Sequence, residues 1–397
     1  MNFKHFILFL KSKFKLSLPK SKKVLIYDES NSDFIFTLIK KEQCEILHTR
    51  FEEINIPILL MSIFSFNKKK ITEKYVRLYI KHVNPEVVLT FIDNKLSFYE
   101  LKKDFENILF VVIQNGLRSY GSDIDTQKKI DNLKKRKLLV DYFFTFNESY
   151  KEVYSQFIKG NIIPVGSLKN NSISINYKNN FLNKKKLLYI SQFRKMPANS
   201  INKKFNNLTT QQKLSSGEYY LLKSEIKLIP LIVEYCIINK VTLEICGCSN
   251  DKNEFLFYKS LIKEEFKNWE FFPKKNMQTT YRMLDEATAV AFIDSTLGYE
   301  ALSRKRPTAC FSIRGEFLDN FDGCKFGRPA IYEDNGPFWC NELNTSKLNE
   351  ILNFVLNVSE EEWKKIKHKY TNKIALYDPK NAKFKKIMSN INISLND

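Results

Sequence analysis

The chain has 397 residues, 43% of them hydrophobic, with only 11 Gly and 11 Pro; this excludes a low-complexity or disordered chain and leaves room for two domains of about 100–200 residues each. Lys and Arg number 64 against 44 Asp and Glu, a net charge of +20, which favours anionic partners such as phosphorylated molecules or anionic lipid. No zinc-finger spacing, RNP-like aromatic motif or base-reading basic helix is present, which argues against nucleic acid.

The first elements carry a charge signal of their own. Over residues 3–23, Phe3, Phe6, Ile7, Leu8, Phe9, Leu10, Phe14 and Leu16 alternate with Lys4, Lys11, Lys13, Lys15, Lys20, Lys22 and Lys23. Lysines interrupt any signal-peptide centre. The segment reads as a basic amphipathic stretch lying on anionic lipid, or as an ordinary first helix packed on the domain. Next come apolar runs that read as buried parallel strands, with helices between them. The spacing predicts strands over 24–28, 44–48, 87–92, 108–113, 142–146 and 162–167, and helices over 32–41, 72–82, 96–105 and 148–158. Residues 169–186, rich in Asn, Ser and Lys, read as a linker. A second series follows. Strands are expected over 186–191, 241–246, 269–272, 289–293 and 307–312, and helices over 218–239, 254–266, 279–286, 295–304, 347–358 and 360–370.

Alternation of this kind implies parallel sheets covered on both faces. The expected organisation is an α/β chain of two Rossmann-like lobes. They cover residues 1–168 and 187–345, with C-terminal helices over 346–397 that could pack back across a cleft. Ligands of such sheets bind beyond the carboxyl ends of the strands, which directs attention to the residues at those ends. In Asp294-Ser-Thr-Leu-Gly-Tyr-Glu300 a buried strand gives way at once to a helix. Ser295 or Thr296 can cap it, and its free N–H groups suit a phosphate. Gly298 allows a ligand or neighbouring backbone to approach closely, and Glu300 can accept hydrogen bonds from ribose hydroxyls. Ser191, Gln192 and Arg194 end the first strand of the second lobe. Asp93, Gln114, Asn115 and Gly116 stand at strand ends of the first lobe. The four His occupy no convincing site position. Seven Cys, an odd number without a second pair at zinc spacing, fit a reducing, cytoplasmic setting and no metal centre.

The ordered set Thr90-Phe-Ile-Asp93-Asn94, Ile113-Gln-Asn-Gly-Leu-Arg118, Pro164-Val-Gly-Ser167, Tyr189-Ile-Ser-Gln-Phe-Arg194, Asp294 to Glu300, Phe311-Ser-Ile-Arg314, Phe326-Gly-Arg328 and Gly336-Pro-Phe-Trp339 resembles the bacterial surface carbohydrate biosynthesis family of GT-B-like sugar transferases. The resemblance runs from about residue 85 to 345. It implies donor binding by the C-terminal lobe, through Ser191, Gln192, Arg194, Asp294, Ser295, Thr296, Gly298, Glu300 and Arg314. Acceptor binding falls to Gln114, Asn115, Gly116 and Arg118 of the first lobe. Distant kinship with transferases of CMP-activated ulosonic acids, including β-Kdo enzymes, implies an acidic sugar that arginines would hold in bidentate fashion; a nucleotide-diphosphate sugar is the alternative donor. It further implies a glycan or glycolipid acceptor of capsule or lipopolysaccharide type and work at the inner face of the cytoplasmic membrane. No cofactor or metal is implied beyond the nucleotide-sugar co-substrate, and no DxD motif stands at a strand end. A carboxylate must act as base or nucleophile; Asp93, Glu218 and Glu225 are the candidates. The competing readings are a nucleotide-sugar epimerase or hydrolase on the same two lobes, and a non-catalytic anion- or lipid-binding scaffold.

Overall fold

The computed structural model describes residues 10–66, 68–117, 127–176, 185–193, 218–317 and 322–396. In the first lobe, short runs such as Val-Leu-Ile-Tyr and Val-Val-Leu-Thr are buried on both faces and form all-parallel strands. They are β2 (Val24–Tyr27), β3 (Cys44–Leu47), β5 (Val87–Thr90), β6 (Leu109–Ile113), β7 (Leu138–Thr145) and β8 (Ile158–Pro164), in the order β3-β2-β5-β6-β7-β8. Helices α1 (Ser32–Leu38), α3 (Ile71–Val83), α4 (Leu96–Leu101), α5 (Gln127–Lys134) and α6 (Glu148–Tyr154) fill the crossovers.

A small parallel pair precedes this sheet. β1 (Lys13–Lys15) lies beside β4 (Glu53–Asn55), which runs straight into α2 (Ile56–Phe64). The basic amphipathic stretch over 3–23 is thus not one continuous helix in its described part. Residues 13–15 are extended, because their backbone finds partners in 53–55; residues 1–9 lie outside the described residues. Helix α2 was not anticipated either. Asn55 caps it by accepting from the Ile58 N–H, and Pro57 sits in its first turn. Its sequence IPILLMSIF is apolar nearly all round and so shows no helical period.

The second lobe begins with β9 (Lys186–Ile190) and α8 (Glu218–Ile238), which carries Pro230 inside it. Then come β10 (Thr242–Cys246), α9 (Lys252–Leu261), β11 (Trp269–Phe272), α10 (Met277–Glu286), β12 (Ala289–Phe292), α11 (Thr296–Ser303), β13 (Thr308–Phe311) and β14 (Trp339–Cys340). Their parallel order is β11-β10-β9-β12-β13-β14. Helices α12 (Thr345–Asn357) and α13 (Glu360–Thr371) cover this lobe, with Ile351 and Trp363 in its core. The chain then returns to the first lobe. Phe384 and Met388 of α14 (Ala382–Asn390) are buried there, with the Phe384 ring 4.9 Å from that of Phe144.

The Asn-rich stretch after β8 is no slack tether over its described part. It opens with a helical turn, α7 (Leu168–Asn171), whose Asn170 and Asn171 are buried. Arg304, fully buried just beyond α11, grips it. The guanidinium donates to both carboxylate oxygens of Asp285, at 2.8 and 2.5 Å, and to Asn170 Oδ1 and the Ile173 carbonyl, each at 3.0 Å. The Asp285 carboxylate also accepts the Asn176 N–H at 3.0 Å. Replacing Arg304 by Met leaves Asp285 charged and buried without its cation, which should cost about 3–5 kcal/mol, read as a shift in the urea unfolding curve. Gly298 is equally demanding: a Cβ there would lie 2.2 Å from the Phe292 ring. Gly298→Ala should destabilise by about 1–3 kcal/mol on the same assay.

Candidate functional site

Read along the chain, the second lobe winds outward from β9 through β10 to β11, then restarts on the other side at β12. The strand order reverses between β9 and β12, and ligands of open parallel sheets bind outside the carboxyl ends at such a reversal. Gln192 leaves β9 there, Asp294 leaves β12, and Arg314 follows β13. Arg314 Nη2 donates to Gln192 Oε1 at 2.6 Å and to Asp294 Oδ1 at 2.5 Å. The pair is largely but not wholly buried, and the Arg314 Nε has no partner among the described residues. A cation with a donor to spare thus stands at the reversal point.

Beneath it lies a network of buried carboxylates. Glu225 accepts from the Gln192 N–H at 2.8 Å, from the Tyr189 hydroxyl at 3.0 Å and from the Tyr258 hydroxyl at 2.6 Å. Glu254 accepts from the Ser191 hydroxyl at 2.6 Å and from the N–H groups of Cys248 and Ser249 at 2.8 and 2.9 Å. Expected from sequence as a carboxylate reaching the cleft, Glu225 instead sits wholly inside and fixes the Ser191–Phe193 turn from below. Burial raises its pKa to about 7 despite the three donors.

Helix α11 starts against the first lobe. Ser295 caps it by accepting from the Leu297 N–H at 3.3 Å, and Thr296 Oγ1 accepts the Leu117 N–H at 3.1 Å across the cleft. Gly298 faces Phe292 rather than the cleft, so its small size serves helix-to-strand packing. Glu300 lies on the hinge side, buried, accepting from the Tyr281 hydroxyl at 2.9 Å. Its pKa is raised by burial, against the opposing hydrogen bond from Ser167.

On the facing lobe, Asp93 is buried. Its carboxylate accepts from the Asn115 N–H at 3.2 Å and the Tyr154 hydroxyl at 3.1 Å. Gln114, also buried, accepts from the Phe146 N–H at 2.8 Å and donates to the Gly116 carbonyl at 3.1 Å. Both hold the turn, whereas Asn115 is exposed and bonds to Asn31 at 3.1 Å. A Cβ on Gly116 would meet Thr296 Oγ1 at 3.4 Å. Arg118, Arg194 and the side chain of Glu218 lie outside the described residues.

Between the lobes the described residues leave a cavity of about 40 Å³, lined by Asn147 and Tyr150 on one side and Asp294, Tyr299, Lys325 and Arg328 on the other. Small-molecule sites usually measure about 300–1,000 Å³, so the described residues do not by themselves enclose a ligand-sized space here. Sequence reading passed over Lys325, although it directly precedes the Phe326-Gly-Arg motif. Glu254 and Tyr258 gave no signal, since their roles depend on a partner some sixty residues earlier in the chain.

Glu225 also carries a pH signature. A carboxyl raised from 4.5 to about 7 holds its proton longer when folded than when unfolded. Its stabilising contribution is complete below pH 4.5 and is lost as pH rises through about 7, levelling off beyond. Melting temperature measured across that range should fall in the wild type and fall less in Glu225→Gln.

Comparison with known proteins agrees with this architecture. Residues 110–392 match a family model described as "putative O-antigen biosynthesis protein", whereas a search of curated proteins finds no match. Among solved structures, the UDP-GlcNAc 2-epimerase of Neisseria meningitidis superposes with a TM-score of 0.52 at 13% identity, covering 93% of this chain and 90% of that one. A glycosyltransferase from Rickettsia africae gives 0.51 at 11%, covering 93% and 98%. Sucrose-phosphate synthase from Thermosynechococcus elongatus gives 0.51 at 11%, covering 93% and 89%. At such identities the likeness is one of fold, the two-lobed GT-B arrangement that transferases and an epimerase share. Because the family match spans well over half of its length, the chain belongs to the O-antigen biosynthesis family that this model describes.

Proposed function

We propose that this protein is a glycosyltransferase that moves a sugar from a nucleotide-activated donor onto a bacterial surface glycan. The observation that carries the reading is Arg314, held between Gln192 and Asp294 at the strand-order reversal, its buried Nε without a partner among the described residues. An anionic donor would take that donor group and the start of α11, displacing the Leu117 N–H from Thr296 as the lobes part. The leaving phosphate would then be stabilised by Arg314 and the helix N-terminus without a divalent ion. In the finer form of this reading, the donor is a CMP-linked ulosonic acid such as Kdo, whose carboxylate suits a guanidinium. The acceptor glycan approaches from the Asn115–Gly116 side. Asp93 and Glu225 act as positioning groups, since their oxygens hold the turns that carry Asn115 and Gln192. On this reading the protein works at the cytoplasmic face of the membrane. The lysine surplus supports that placement, and no described helix is long and apolar enough to cross a membrane.

A thermal-shift panel of CMP, UDP and GDP tests the proposal, because ligands of the folded state raise its melting temperature. CMP is expected to stabilise the wild type with or without EDTA, and Arg314→Ala should abolish the shift. Stabilisation by UDP alone would remove the ulosonic-acid donor and keep the transferase. No response to any nucleotide would remove the transferase reading itself.

A further inference from the structure

A larger cavity among the described residues lies away from the cleft just described. It measures about 400 Å³, within the range of about 300–1,000 Å³ typical of small-molecule sites. Ile54, Leu59, Ile71, Tyr75, Val76 and Leu101 give it apolar walls. Polar groups enter from the carboxyl end of β3, as His48 and Thr49, and from beyond β5, as Lys95, and the charged Glu53, Glu73, Arg77 and Glu100 also line it. Lys95 Nζ donates to Thr49 Oγ1 at 2.9 Å and sits over the Tyr27 ring, 5.0 Å from its centre.

The helix that walls this cavity is also the most apolar exposed element described. While Leu59 of α2 lines the cavity, Leu60, Met61, Ile63 and Phe64 are exposed on the same helix, Phe64 by 74%. Phe66 beyond it is fully exposed, and Ile71 both lines the cavity and reaches the surface. Phe14, paired with Ile54 in the β1–β4 ladder, and Leu16 add to the exposed apolar surface. Exposed lysines flank both stretches: Lys11 and Lys13 on one, Lys68 and Lys70 on the other. Apolar side chains ringed by lysine match a bilayer of anionic lipid, the first entering the acyl region and the second meeting the headgroups. A protein partner would need no apolar hollow behind its docking face; a lipid chain does.

We infer that the first-lobe cavity receives the hydrocarbon chain of an anionic membrane lipid, from a bilayer on which the exposed face of α2 rests. The inference rests on the transferase reading for its meaning, since it makes the acceptor lipid-linked. Its test is independent of the nucleotide. By calorimetry, the full chain should bind dodecyl phosphate at least about tenfold more tightly than inorganic phosphate. Val76→Trp, which fills the cavity, should lose that preference; Leu59→Phe serves if the first variant melts early. Phe64→Asp with Phe66→Asp should keep dodecyl phosphate binding. The pair should cut co-sedimentation with vesicles of equal parts phosphatidylcholine and phosphatidylglycerol by about tenfold. Equal binding of dodecyl and inorganic phosphate, or filled variants that bind like the wild type, would overturn the chain site. Equal binding to pure phosphatidylcholine vesicles would overturn the anionic surface. If the aspartate pair instead dissociates a dimer, the α2 face is a contact between copies and the inference fails. A wild type that shows no preference for dodecyl phosphate but keeps its nucleotide shift sinks this inference alone; the reverse result sinks the transferase reading.

Discussion

The relation between the lobes depends on the buried pair of Arg304 and Asp285. Arg304 gathers the Ile173 carbonyl, the Asn170 amide and a carboxylate into one fully enclosed site. An ion pair so deep contributes little by itself, since desolvation offsets much of the attraction. Its effect is positional, for the segment leaving the first lobe can run only where that guanidinium finds its acceptors. Arg304 also ends the helix whose other end is Thr296. One short helix therefore touches the first lobe at its start, through Leu117, and the connecting segment at its end. Its cationic end group opposes the negative pole of the helix dipole.

A second constraint recurs at the strand ends. Four of the strand-end turns are held from beneath by a buried carboxylate accepting backbone N–H groups. Asp93 does this for Asn115, Glu225 for Gln192, Glu254 for Cys248 and Ser249, and Asp28 for Ser30. Parallel strands deliver their turns at one edge, where N–H groups point outward without ladder partners. A charged acceptor satisfies them strongly and fixes which side chains remain for chemistry. At the reversal point these are Gln192, Asp294 and Arg314.

Much of this could be seen in the sequence, for physical reasons. Buried parallel strands are written as unbroken apolar runs, so β2, β5, β6, β9, β12 and β13 were all anticipated, and with them the strand-end residues. What stayed hidden depended on distance in the chain or on missing periodicity. Helix α2 is too uniformly apolar to show a face. The short strand at 13–15 shows itself only once its partner at 53–55 is known. Glu225 looked available because nothing local reveals that Tyr189 and Tyr258 converge on it. Gly298 looked like room for a ligand because the ring that fills that room belongs to the preceding strand. Residue type and strand-end position announced themselves; which way each side chain turns did not.

The chain passes between the lobes twice, and the two passages are sewn together. The Gly166 Cβ space is taken by the Leu376 carbonyl. Asn171 Oδ1 accepts the Asp378 N–H at 3.0 Å, Tyr377 donates to the Ile173 carbonyl at 3.1 Å, and Asn381 donates to the Leu168 carbonyl at 2.9 Å. A single covalent thread would let one lobe swivel freely about the other. Two threads bonded side by side resist twisting and sliding more than one would, so any rotation of the lobes would run about the line they share, as in a door on paired pins. Glu300 and Ser167, beside that line, would keep their spacing as the door moves, while groups farther out would separate most.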